Sequence, residues 1–158
     1  MLLAPSFSLA REKILLALRT VRWAGRMQQV CPEVYFDGAH NTAGIEEFLK
    51  TVRQIGGKKP LLLFSMVKEK DYAAVVRMLS RTDWGGIVVT HIPDARGLSV
   101  AALQEEFEKN GKETVGINDC RAAYDGVMQK KEPGQTVFCT GSLYLIGELE
   151  KIAGGLKK

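Results

Sequence analysis

The sequence predicts an α/β domain: a mainly parallel sheet of about six strands with helices on both faces. Three observations carry this. Short apolar strands alternate regularly with amphipathic stretches of helical period. At least one strand, "PLLLFSM", is apolar almost throughout rather than every second residue, as a strand covered on both faces should be. Glycine pairs and capping residues, such as Gly56-Gly57 and Asp71, mark the junctions. With right-handed crossovers, this alternation gives a Rossmann-like three-layer αβα domain.

Residues 9–21 read as a helix, with Ile14, Leu15, Leu18 and Val21 on one face and Ser8 as its N-cap. "WAGR" (23–26) breaks it, and "MQQV" before Pro32 reads as a short strand, with an antiparallel place at the sheet edge left open by its own residues. "EVYFD" is the next strand. It leads into a helix through Ile45, Phe48, Leu49, Val52 and Ile55, ended by Gly56-Gly57. "PLLLFSM" precedes a helix capped by Asp71 and bearing Val75, Met78 and Leu79. "GIVVTH" precedes a helix running from Ser99 through Leu103 and Phe107 to Gly111. "ETVGI", a weaker strand, precedes a helix from Asp119 to about Lys131. "QTVFCT" is the last strand, and Leu143, Ile146, Leu149 and Ile152 form the apolar face of the final helix.

Composition narrows the function class. The chain has 158 residues, 46% hydrophobic and 25% charged, which suits one domain with a real core. Its net charge of +4 is scattered, Lys157-Lys158 read as a solvated tail, and no aromatic-interleaved basic patch points to nucleic acid. Cys31, Cys120 and Cys139 are odd in number and lack CxxC spacing, so neither a disulfide framework nor a zinc site is indicated. The apolar start lacks a basic n-region, and no apolar run approaches the ~20 residues that cross a bilayer. These features set the expectation of a cytoplasmic protein with neither a membrane nor a nucleic-acid partner.

In an open parallel sheet, ligands bind beyond the carboxyl ends of the strands. That rule selects four turns: "DGAHN" (37–41), "SMVKEKD" (65–71), "HIPDARG" (91–97) and "CTGSLY" (139–144). Asp37 and His40 are expected on a surface turn facing a ligand, with Gly38 letting backbone approach it. Each has a plainer role beside this one. Asp37 also suits a turn cap, Asn41 or Thr42 a helix cap, Ser142 the cap of the last helix, and Tyr144 the core. Lys68, Lys70 and Arg96 suit a solvated face, and His91 a structural position. There is no G-x-x-x-x-G-K-[ST] loop, no G-x-G-x-x-G after a strand and no G-x-S-x-G elbow, and Asp37 with His40 is too small a set for a metal centre. The residues alone define a polar rim on an α/β domain.

Taken in order, "WAGRMQ", "VYFDGAHN", "SMVKEKD", "PDAR" and "CTGSLYL" resemble the C-terminal domain of folylpolyglutamate synthase/dihydrofolate synthase, a branch of the ATP-dependent Mur-type amide ligases. The resemblance runs from about Leu9 to about Ile152. It implies residues 1–22 as a helical lead-in from a preceding domain and 23–158 as the C-terminal lobe. In that family ATP phosphorylates a folate carboxylate, and the amine of L-glutamate attacks the acyl phosphate to give an amide, ADP and phosphate. ATP and Mg²⁺, L-glutamate and the folate would meet in a cleft shared with an N-terminal P-loop domain, so this chain alone should be inert as a ligase. Carried over, Arg26 would reach the nucleotide phosphates, and Asp37 would accept hydrogen bonds from the nucleotide or a cleft partner. His40 would sit near phosphates and glutamate, Ser142 and Tyr144 would receive glutamate, and Lys70, Asp71 and Arg96 would line the rim. Ala24 and Thr42 replace usual prolines, and "KEKD" replaces a more usual "DKD", which weakens any role for Glu69. Two alternatives stand beside this: a stand-alone nucleotide- or metabolite-binding module, and the lobe of a Mur-type ligase acting on a peptidoglycan precursor.

Overall fold

A computed structural model describes residues 12–14, 25–55, 57 and 59–155. In chain order it contains β1 (Gln28–Cys31), β2 (Val34–Phe36), α1 (Thr42–Ile55), β3 (Leu61–Phe64), α2 (Tyr72–Leu79) and β4 (Gly86–Thr90). Then come α3 (Val100–Lys109), β5 (Val115–Ile117), α4 (Cys120–Lys130), β6 (Val137–Thr140) and α5 (Leu143–Gly155). Of the helix expected over 9–21, residues 12–14 are helical and the remainder lies outside the described residues, as does most of the 1–22 lead-in.

The six strands form one sheet in the order β1-β2-β6-β3-β4-β5. All neighbours run parallel except β1, which pairs antiparallel with β2 at the edge. Strand alternation splits the core in two. Leu62, Phe64 and Phe138 face Phe48 and Val52 of α1, Leu79 of α2 and Phe107 of α3. Leu61, Leu63, Val137 and Cys139 face Ala123 and Val127 of α4 and Leu145 and Leu149 of α5. This is the expected three-layer arrangement, with α1, α2 and α3 on one face and α4 and α5 on the other among the described residues. Phe138 anchors the first layer, stacked on Tyr35 at 5.6 Å and met edge-on by Phe48 at 5.7 Å.

Strand order positions the site. The chain passes from β2 to β3 through α1, leaving a gap that β6 fills after returning through α4 on the other face. The parallel registers Phe36↔Cys139 and Phe64↔Thr140 then set the carboxyl ends of β2, β6 and β3 side by side. Such a switch in strand order opens a crevice where ligands bind. One core assignment needs correction. Leu143 is 51% exposed, and α5 buries Leu145, Ile146, Leu149 and Ile152 instead.

Candidate active site

The turn after β2 is tied to the turn before β1. Gly25 (φ +69°) and Met27 (φ +39°) both take the left-handed conformation, which is unusual for Met27. Asp37 holds that turn closed: Oδ2 accepts from the Met27 amide at 2.8 Å and Oδ1 from the Ala39 amide at 2.8 Å. The Gly38 amide donates to the Gly25 carbonyl at 2.7 Å. Asp37 is therefore not on a surface turn. It is 7% exposed, and both oxygens are engaged by backbone. The cap of α1 is Asn41, whose Oδ1 accepts from the Gly44 amide at 2.8 Å.

His40 is partly exposed, with Nδ1 2.8 Å from the Gly38 carbonyl. A carbonyl only accepts, so Nδ1 carries the proton and Nε2 is left as the free acceptor of the neutral ring. His91 makes the same kind of bond, Nδ1 to the Leu98 carbonyl at 3.0 Å, as its structural reading anticipated.

The turn after β6 depends on Gly141. Its φ is +112°, and a Cβ there would stand 2.2 Å from the Ser65 carbonyl oxygen. Ser142, 2% exposed, caps α5: its Oγ accepts from the Tyr144 amide at 3.1 Å. Tyr144 is 47% exposed rather than core, and the Arg96 guanidinium lies 4.4 Å from its ring centroid. Arg96 is fixed from the other side by Asp94, with Nε at 3.0 Å and Nη2 at 3.2 Å from the two carboxylate oxygens. The Arg96 side chain and its backbone amide hold the Asp94 carboxyl down at about 2, while Asp94 first and Tyr144 second push the guanidinium higher still.

The turns after β3 and β4 are joined by a two-residue bridge, Val67 to Gly97. The Lys68 amide donates to the Arg96 carbonyl at 2.8 Å, and its ammonium to the Ala95 carbonyl at 2.9 Å. Asp71 caps α2 through the Ala74 amide at 3.0 Å, as expected from sequence.

These turns enclose a cleft of about 390 Å³ lined by His40, Val67, Glu69, Lys70, Arg96, Ser142, Leu143 and Tyr144. All four turns contribute, so His40, Lys70, Arg96, Ser142 and Tyr144 come together as the sequence suggested. Arg26, Asp37 and Asp71 do not line it. Arg26 is exposed on the turn that Asp37 holds, and Asp71 is spent as a cap. Sequence reasoning discounted Glu69 and placed Leu143 in the core, yet both line the cleft. Size does not single it out: a depression of about 470 Å³, lined among others by Trp84, Lys112 and Val115, lies at the amino ends of β3 to β5. Chemistry does. Two cations, one acid, an imidazole acceptor and a phenol suit a small ligand bearing both carboxylates and an amine. Among the described residues, no group of three or more His, Cys, Asp and Glu is placed to hold a metal ion, and no helix is long and apolar enough to cross a membrane.

A parallel α/β sheet whose polar cleft is built from four strand-to-helix turns belongs to the ligand-binding, Rossmann-like class. Residues 25–143 match the family model described as Mur ligase, glutamate ligase domain, and the chain belongs to that family. It is 30% identical over 132 residues to the dihydrofolate synthase/folylpolyglutamate synthase of Bacillus subtilis, covering 82% of this chain and 30% of that protein. Its fold is similar to E. coli FolC in complex with DHPP and ADP: TM-score 0.86, 20% identity, covering 95% of this chain and 36% of that one. A bifunctional folylpolyglutamate synthase/dihydrofolate synthase with Mn, AMPPNP and L-glutamate bound gives a TM-score of 0.81 at 21% identity, over 95% of this chain and 36% of its own. The chain thus spans about a third of the length of these relatives.

Proposed function

We propose that this chain is the glutamate-receiving lobe of an ATP-dependent amide ligase of the folylpolyglutamate synthase/dihydrofolate synthase type. The observation that carries the reading is the cleft itself. The turns bearing the family-like motifs "DGAHN", "SMVKEKD", "PDAR" and "CTGSLY" converge on it and bring in His40, Lys70, Arg96, Ser142 and Tyr144. The relative with bound L-glutamate supports the choice of amino acid.

In this reading residues 1–22 lead in from a preceding domain, and residues 23–158 form the lobe that closes over the nucleotide. The preceding domain supplies the phosphate loop, the folate site and most contacts to ATP. It also supplies most contacts to the divalent cation. The lobe's task is positioning. Lys70 and Arg96 attract the carboxylates of glutamate, and Tyr144 offers its phenol at the same rim. His40, locked by Gly38 with Nε2 free, accepts a hydrogen bond from the incoming amine and holds it toward the acyl phosphate. The nitrogen lone pair attacks the acyl carbon, the carbon–oxygen bond to phosphate breaks, and inorganic phosphate leaves with that electron pair and takes up the proton that the nitrogen sheds. Arg26 approaches the nucleotide phosphates from the neighbouring turn. Asp37 acts through others, fixing the Arg26 and His40 turns against each other. A cytoplasmic setting follows from the substrates.

The test is an assay of the complete polypeptide that carries this domain, supplied with ATP, a folate and L-glutamate. Glutamate-dependent formation of ADP and of the amide is expected, and none from this chain alone. Tight ATP or metabolite binding by this chain with no ligation by the complete polypeptide would instead favour a stand-alone binding module.

A further inference from the structure

The segments carrying Arg26, His40 and Ser142 meet on one side chain. Leu143 opens α5 and lines the cleft between Ser142 and Tyr144. Its Cδ2 lies 2.2 Å from where a Cβ would stand on Gly38, and its Cγ lies 3.0 Å from the same point. The same Cδ2 is 3.5 Å from the corresponding point on Gly25. Gly25 needs glycine for its backbone, with φ +69°, but Gly38 does not have a positive φ. Space, not conformation, keeps residue 38 bare.

We infer that Leu143 is a positioning residue for the cleft, its isobutyl group seated in a notch formed by the bare faces of Gly38 and Gly25. The functional part of this inference rests on the glutamate reading of the cleft. Seated, the leucine spaces the Gly25–Met27 turn, the His40 turn and the first turn of α5 from one another. The notch is closed by the bond from the Gly38 amide to the Gly25 carbonyl, so its walls cannot easily part. The leucine also borders open space. It is half exposed, and its exposed side faces the cleft it shares with His40 and Tyr144. A methyl at position 38 therefore has a specific consequence. The nearest atoms it meets are the mobile end of a side chain, with the Gly25 carbonyl oxygen next at 3.2 Å, so a shift of a few tenths of an ångström lets the protein fold while Leu143 swings outward into space that a ligand would occupy.

Gly38→Ala in the complete polypeptide is expected to lower the melting temperature only modestly and to raise KM for L-glutamate on the order of 10- to 100-fold, as a displacement of about 1 Å at a positioned group can do. KM for ATP should change much less. Leu143→Ala alone empties the seat and should also raise KM for glutamate, whereas the double variant Gly38→Ala/Leu143→Ala should recover most of the loss, because the new methyl fills the notch and the obstructing side chain is gone. If Gly38 is instead bare to let backbone touch a ligand, the second substitution rescues nothing, and the inference fails. The chain itself provides a reading independent of ligation and of how the variant folds. Nuclear Overhauser contacts from the Leu143 methyls to the Hα protons of Gly38 and Gly25 are expected in the unaltered protein, and their absence overturns the seat. Contacts present with no glutamate-dependent ADP formation would count against the ligase reading and leave the seat standing.

Discussion

The two walls of the cleft are built on opposite principles. The wall from β2 and β6 is internally satisfied: Asp37 and Ser142 are almost fully buried, and their oxygens accept from backbone amides. The wall from β3 and β4 is exposed and charged, with Lys70, Glu69 and Arg96 on two bridged turns. His40 stands between the two styles, one ring nitrogen spent on its own turn and the other free. The contrast separates residues that hold the rim in shape from residues that can touch a ligand. Position in a motif does not make that distinction, since Asp37 and His40 share one. Burial and hydrogen-bond accounting do.

Substitutions should break this comparison in different observables. The largest effect is expected from Gly141→Ala, which sets a Cβ against the Ser65 carbonyl and forces a left-handed residue. Strain and overpacking together cost on the order of 2–6 kcal/mol, read as a large fall in denaturant midpoint. His40→Ala should act on the reaction instead. Loss of one preorganised polar contact costs about 2.7–4 kcal/mol of barrier, or ~100- to 1000-fold in turnover, with the melting temperature nearly unchanged. Asp37→Ala should do the reverse at first order. It strands the Met27 and Ala39 amides, destabilising the domain by about 2–4 kcal/mol, and activity falls only as the Arg26 and His40 turns loosen. Equal stability loss in the His40 and Asp37 variants would erase the distinction between the walls.

The smallest effect concerns pH. The folded Asp94 carboxyl titrates at about 2, below the usual 3.8, chiefly through its bonds to the Arg96 side chain. Its contribution is thus complete above 3.8 and is lost as pH falls through about 2. An NMR titration of the Asp94 carboxyl should give that midpoint, and Arg96→Gln should move it back toward 3.8.

Most of the fold was legible because it rests on local periodicity. Ile45, Phe48, Leu49 and Val52 mark the buried face of α1 from spacing alone, and Asp71 marks the start of α2 by its capping chemistry; Ser99 and Asp119, read as the starts of α3 and α4, prove to be their caps. The direction of β1 was not legible, since it depends on pairing with β2 rather than on its own residues. At the site, the carboxyl-end rule found all four turns. It could not tell that Asp37 is buried, because the amide that engages it belongs to Met27, ten residues upstream. Nor could it find Arg96 stacked on Tyr144, a meeting made by the sheet. Leu143 fitted the apolar period of α5 but left the core for a geometric reason. Helical side chains lean toward the N-terminus, so one in the first turn reaches past the sheet edge and over the loops.

The central claim is that His40 presents Nε2 to a ligand while Nδ1 is held by the Gly38 carbonyl. A long-range ¹H–¹⁵N spectrum of the complete polypeptide tests it directly, recorded with and without a non-hydrolysable ATP analogue and L-glutamate. The expected result is an Nδ1-protonated ring whose Nε2 resonance shifts when glutamate is added and whose Nδ1 resonance stays in place. An Nε2-protonated ring, or an Nε2 resonance indifferent to both ligands at saturation, would contradict the assignment of this cleft.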